Sequence, residues 1–199
     1  VDSGTKGLSL SEPEKKMGWK GSDTRSVYFD QMRIPKKNIL GSAGKGFKQF
    51  LKTLTIGRIS ISSLALGTAV GAYELALKYS QERTAFGKKI SSFQGISFKL
   101  ADMATQISAS RQLIYHAAWL HDNNKDVIKD AAIAKLFSSE AAMKITTEAI
   151  QIHGGYGYIE DYHVERFFRD AKILEIGEGT SEVQRIVIAR EILKNFSST

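Results

Sequence analysis

FQGISFKLADMATQISASRQLIYHAA, Phe93 to Ala118, carries one period from end to end. Phe93, Ile96, Leu100, Met103, Ile107, Ile114 and Ala117 follow helical spacing of three and four, which places them on one face of a helix ending at Asp122-Asn123-Asn124. A long helix with a single apolar face needs neighbours to cover it, and the flanking sequence supplies them. From Gly46 onward, Phe47, Leu51, Leu54, Ile61, Leu64, Ala72 and Leu75 recur at turn multiples. Ile56 to Ser62 alone would pass for a strand, but the length of the pattern favours a helix. Asp126 to Ile150 is rich in Ala and sets Ile128, Ala132, Leu136, Ala142, Ile145 and Ala149 on overlapping faces, predicting the most buried helix of the set, stopped by Gly154-Gly155. A short helix near 160–170 and a terminal helix over 181–194, with Val183, Ile186, Val187, Ile188 and Arg190 on helical spacing, complete the series. The expected fold is mainly α: an antiparallel up-and-down bundle, four-helix-bundle-like, over residues 42–199.

Residues 1–41 read differently. Leu8-Ser9-Leu10 alternates, Pro13 breaks the run, and Ser26 to Phe29 forms a second strand before Pro35 and Gly41. Two short strands cannot bury a face independently, so this segment is expected to be part of a β-barrel or sandwich domain. The chain opens on Val1 rather than Met, and upstream sequence is expected.

The chain has 199 residues, 42% of them hydrophobic, enough for a sizeable core. No stretch approaches an unbroken membrane span, and the N-terminus shows neither a basic start nor an apolar targeting run. The absence of cysteine excludes disulfides and thiolate ligands and fits a reducing compartment. These features set the expectation that the protein is not secreted. His116, His121, His153 and His163 lack metal-ligand spacing. The net charge of +7 admits a phosphate-rich ligand, nucleic acid or an acidic protein. Its basic residues are dispersed and lack interleaved aromatics, which argues against nucleic acid.

Three loops carry chemistry. Arg83-Thr84-Ala85-Phe86-Gly87-Lys88-Lys89, with Gln94 beyond it, offers a guanidinium and an aromatic suited to a diphosphate and a flat ring. It reads equally as a solvated helix connection. Gln151-Ile152-His153-Gly154-Gly155-Tyr156-Gly157-Tyr158 lets a ligand approach bare backbone, or simply ends a helix with aromatic packing. Glu178-Gly179-Thr180-Ser181 sets a carboxylate against a glycine hinge, with Thr180 or Ser181 as helix cap and Glu182 in the first turn. The N–H groups of residues 180–182 form a potential anion site, and the bland alternative is a solvated carboxylate at a helix start.

Arg-Thr-x-Phe-Gly followed by Gln, then Gln-Ile-His-Gly-Gly-x-Gly-Tyr, then Arg-Asp-Ala-Lys-Ile and Glu-Gly-Thr-Ser-Glu-x-Gln-Arg, in this order and at these separations, resembles the acyl-CoA dehydrogenase family. Residues 8–47 also resemble the second half of its middle β domain, through Arg33-Ile34-Pro35-Lys36-Lys37-Asn38-Ile39-Leu40-Gly41 and Gly44-Lys45-Gly46-Phe47.

The resemblance implies dehydrogenation of an acyl-CoA thioester in fatty acid β-oxidation, with Glu178 as the base that removes the α-proton while the β-hydrogen passes to FAD. It places Gly179 on the thioester oxygen, Thr180, Ser181 and Glu182 toward the flavin, and Ile176 and Gly177 as an apolar neighbourhood for the base. It assigns Arg83, Phe86, Gln94, Gln151, Ile152, His153, Gly154 and Gly155 to the FAD of a neighbouring subunit. It assigns Thr55, Ile56, Gly57 and Arg58 to the substrate, although Thr55 departs from the usual Asp. A base on the long helix, as in some relatives, has no candidate, because residues 52–66 contain no acid. The partners implied are acyl-CoA, an electron-transfer flavoprotein and further copies in a homotetramer, a dimer of dimers. An acyl-CoA oxidase, a DNA-binding relative and a non-catalytic assembly module are the alternatives on the same fold.

Overall fold

The computed structural model describes residues 1–196, with side chains to residue 194. The chain packs as two units, Val1–Thr53 and Leu54–Thr199.

In the first unit, β1 (Leu8–Leu10) pairs antiparallel with β2 (Val27–Phe29), Ser9 lying opposite Tyr28. Leu10, Tyr28 and Phe29 are exposed, as befits a two-stranded ribbon with too few strands to build a core.

The second unit is helical. α1 (Gly46–Glu82) runs into it, and α2 (Gln94–Asp122), α3 (Ile128–His153), α4 (Val164–Ala171) and α5 (Ser181–Phe196) follow. The loop between α2 and α3 is short, and Asp126 accepts the Ile128 N–H at 3.1 Å where α3 begins. The two helices run antiparallel: Ile114 and Ala117 pack with Val127, Ala131 and Ala134 at one end, and Lys99 pairs with Glu148 toward the other. Ile59 and Leu66 of α1 pack on the first of these clusters while Tyr79 stacks on His153, so α1 lies antiparallel to α2. α3 is the central helix, with buried residues along its length, as the alanine pattern predicts.

Two faces differ from the sequence reading. α1 buries Arg58, Ser62, Ala65, Ala69, Ala72, Ala76 and Ser80, a seam of mostly small residues, while Leu64 is 43% exposed. Small residues let helix backbones approach closely. At Gly71 an added Cβ would lie 2.7 Å from the Phe167 ring of α4. Likewise α5 buries Ser181, Gln184, Val187 and Glu191, whereas Val183 and Ile186 are exposed. α1 is also long and apolar enough to cross a membrane by length and composition alone, although it holds no unbroken apolar run. Its apolar residues are interrupted by Gly, Ser and Thr that an average absorbs, and its seam lies within the bundle.

Between α1 and α2 the connection is a small hairpin. β3 (Thr84–Ala85) pairs with β4 (Lys88–Lys89), and the turn residues Phe86 and Gly87 both have positive φ, 51° and 79°. Two left-handed residues in a two-residue loop define a type I′ turn, whose twist suits a hairpin. Phe is an unusual occupant, since bulky residues rarely adopt that region.

Candidate active site

Glu178 follows a 3-10 turn at Lys172–Glu175 and precedes α5. Its φ is 58° and that of Gly179 is 94°, so two successive left-handed residues form the turn. Thr180 caps α5: its Oγ1 accepts the Val183 N–H at 3.3 Å. Ser181, the other candidate cap, instead has a buried Oγ with no partner among the described residues. The Glu182 carboxylate takes its own N–H and the Thr180 hydroxyl, in that order the causes that hold it below the ordinary carboxylate range. The helix start thus already carries a carboxylate, and the expected anion site is partly filled from within.

The Glu178 carboxylate lies against Gly57 of α1. A Cβ built on Gly57 would sit 2.6 Å from Oε2 and 2.9 Å from Cδ. Oε2 is buried and has no hydrogen-bond partner among the described residues. Next along α1, Arg58 is 9% exposed, and its Nε is also buried without a partner among the described residues. Burial draws the Arg58 guanidinium below its ordinary value, the charge of Arg190 adds to this, and the charge of Glu178 opposes it. Behind them Lys135 of α3 is fully buried, and desolvation lowers it too, against the opposing charges of Glu175 and Glu182. The surroundings of Glu178 on α1 are therefore a glycine and a cation. Ile176, expected to shield it, is 49% exposed.

At the other end of α1 a cavity of about 470 Å³ is lined by Tyr79, Arg83, Ile152, His153, Gly154, Gly155 and Tyr156, with Ile90 and Ile159. The Arg83 guanidinium lies 5.6 Å from the Tyr156 ring centre, and Tyr79 stacks on His153 at 4.3 Å. His153 Nδ1–H donates to the Ala149 carbonyl at 2.8 Å, and burial lowers its pKa, leaving a neutral ring. Gly154 has φ 60° and ψ −136°, a region glycine alone adopts freely, and a Cβ at Gly154 or Gly155 would meet nothing within 4 Å. The backbone there is bare and approachable.

The cavity thus gathers Arg83, Ile152, His153, Gly154 and Gly155, whereas Phe86, Gln94 and Gln151 are exposed and lie outside its lining. The sequence reading missed Tyr79, though it stands four residues before Arg83 on the last turns of α1. It also missed Gln184, whose signal was a polar residue at the helical spacing of Ser181 and Val187. From Gly57 to Tyr79 the helix rises about 33 Å, so the Glu178 carboxylate and the cavity sit far apart in one copy. Among the described residues no group of His, Asp and Glu could hold a metal ion.

Residues 44–193 match the family model of the acyl-CoA dehydrogenase C-terminal domain. This chain belongs to that family. The probable acyl-CoA dehydrogenase YngJ of Bacillus subtilis is 55% identical over 194 residues, covering 98% of this chain and 51% of that protein. Butyryl-CoA dehydrogenase from Megasphaera elsdenii superposes with a TM-score of 0.95 at 48% identity, covering 97% of this chain and 50% of that one. A chain solved in work on the electron transferring flavoprotein of Acidaminococcus fermentans and flavin-based electron bifurcation gives the same TM-score and identity, over 97% and 51%. The chain spans about half the length of the relatives it matches. Family members are FAD-dependent oxidoreductases. The cavity lining has chemistry suited to such a cofactor: a guanidinium for a diphosphate, bare glycine backbone, and aromatic rings.

Proposed function

We propose that this domain serves a flavin-dependent acyl-CoA dehydrogenase in which Glu178 removes the α-proton of an acyl-CoA thioester, giving the trans-2-enoyl-CoA. The observation that carries this is Glu178 Oε2, buried, without a hydrogen-bond partner among the described residues, and set against a glycine that leaves it room. A desolvated acceptor that lacks a hydrogen bond is costly to keep, by about 1–3 kcal/mol, and is matched to a proton it is meant to receive. Bound FAD supplies the acceptor for the hydride that leaves the β-carbon. As the Cα–H bond breaks, negative charge builds on the thioester oxygen, and we assign the Gly179 N–H to that oxygen as a fixed donor. Thr55, Ile56 and Arg58, beside Gly57 on α1, would face the substrate from the same side. Thr180, Ser181 and Glu182 are assigned to the flavin side of the turn.

Base and cavity lie too far apart in one copy to serve the same end of one cofactor, which supports assembly. In this reading Arg83, Ile152, His153, Gly154 and Gly155 hold the FAD of a neighbouring copy, with Phe86, Gln94 and Gln151 projecting toward it, in a homotetramer. An electron-transfer flavoprotein is the proposed acceptor, as the Acidaminococcus neighbour suggests. The test is Glu178→Gln in the complete protein. Flavin content and thioester binding are retained while exchange of the α-proton with solvent is lost. Wild-type exchange in that variant would remove Glu178 from the mechanism.

A further inference from the structure

The Glu178-Gly179 turn is unusual in its backbone. Two consecutive left-handed residues, at φ 58° and 94°, leave successive carbonyl oxygens outside any helix or sheet ladder. Gly179 adopts such a φ at no steric cost, but Glu178 carries a Cβ and is disfavoured there by roughly 1 kcal/mol or more. Something must hold Glu178 in place. Rotating its φ to the ordinary right-handed region would swing Cβ, and the carboxylate with it, away from Gly57.

Gln184, on the first turn of α5, is fully buried. Its Nε2 donates to the Gly179 carbonyl at 2.8 Å and to the Glu178 carbonyl at 3.2 Å. A primary amide has two N–H groups, and here each has a carbonyl to meet. The fit is close: a Cβ on Gly179 would stand 2.8 Å from that same Nε2. The amide's other end does nothing comparable, because Oε1 is buried with no partner among the described residues. The side chain therefore acts through its donors. Its root in α5 also ties the turn to a helix packed on α3.

We propose that Gln184 is a positioning residue for Glu178: its carboxamide clamps the two carbonyls of the left-handed turn and so keeps the carboxylate aimed at the space beside Gly57. The inference rests on the reading of Glu178 as the base, and it adds what fixes the geometry of that base. Gln184 touches neither substrate nor flavin in this account. Its loss acts on proton transfer through the orientation of Glu178, with little effect on thioester affinity.

Gln184→Glu isolates the donors, since it exchanges the NH₂ for oxygen at constant shape. Gln184→Leu removes them altogether. Both are made in the complete protein beside Glu178→Gln, and flavin content, thioester KM and α-proton exchange are measured across pH. The clamp predicts that both variants keep flavin and KM while exchange at about pH 8 falls roughly tenfold, two net hydrogen bonds being lost. Relative to wild type at the same pH, exchange in Q184E recovers as pH falls, because a protonated carboxyl regains one O–H donor, while Q184L stays low throughout. Exchange within twofold of wild type in Q184E at about pH 8, or a Q184E deficit that does not vary with pH, overturns the clamp. If Glu178→Gln is inert while Q184E exchanges normally, the clamp alone falls; if Glu178→Gln exchanges normally, the base assignment falls and the clamp with it.

Discussion

Replacing Gly57 by Ala sets activity and stability against each other. Gly57 lies inside α1 with an ordinary helical backbone, where Ala is favoured over Gly by about 1 kcal/mol. The added methyl carbon would meet Glu178 Oε2 at 2.6 Å, Cδ at 2.9 Å and Oε1 at 3.3 Å. The obstructing atoms are the far end of a flexible side chain, so the fold absorbs the clash by moving the carboxylate. To reach an ordinary 3.4 Å contact, Oε2 must withdraw by about 0.8 Å. A displacement near 1 Å at a reacting group costs up to about a hundredfold in rate, so α-proton exchange should fall by roughly tenfold to a hundredfold. A gain of about 1 kcal/mol in a domain of this size raises the melting temperature by roughly 2–4 °C, less any loss where the carboxylate repacks. The two measurements are a thermal melt of the flavin-loaded protein and solvent exchange of the substrate α-proton. Exchange within twofold of wild type would refute the packing of Glu178 on Gly57. A melting temperature several degrees lower would show that the methyl displaces backbone and not a side chain.

Two further outcomes concern the other end of α1, one in the cavity and one in the hairpin beyond it. Burial holds His153 below its ordinary value of 6.5, so the unfolded chain takes up a proton before the folded one does. The stability this contributes is fully present above pH 6.5 and is lost as pH falls from there toward the folded value; His153→Gln should flatten that part of a stability-versus-pH curve measured by denaturant melts. Phe86→Asn places a residue suited to positive φ in the β3–β4 turn and removes a ring that is 95% exposed. The variant should keep or slightly gain thermal stability while retaining less FAD on gel filtration, and unchanged flavin retention would take Phe86 out of the cofactor site.

How far the sequence could be read depended on the size of the residues turned inward. α2 buries Leu100, Met103, Ile107 and Ile114, large side chains whose spacing is visible to any apolar pattern, and its face was read correctly. α1 and α5 were recognised as helices, but of the residues placed on their faces only Ala72 and Val187 are buried. The seam of α1 is Ser62, Ala65, Ala69, Ala72, Ala76 and Ser80, residues chosen for closeness of approach, and hydropathy gives them little weight against Leu64 or Ile56. In α5 the inward residues are Val187 and, beside it, Ser181, Gln184 and Glu191, polar groups that a core-seeking pattern assigns to solvent. The site divides in the same way. Glu178 and Gly179 were legible because a carboxylate, a glycine and a helix cap stand together in the chain. The role of Gly57 was not, because it consists of an absent side chain that matters only when Glu178, 121 residues later, is folded against it. The arrangement that makes Glu178 useful is thus distributed over α1, the turn and α5, each contributing something a linear reading discounts: a missing Cβ, a disfavoured φ and a buried amide. Their common effect is to hold one carboxylate oxygen out of water with no partner of its own. An oxygen so placed can accept a proton from a group that enters beside Gly57, which is the use the proposed mechanism makes of it.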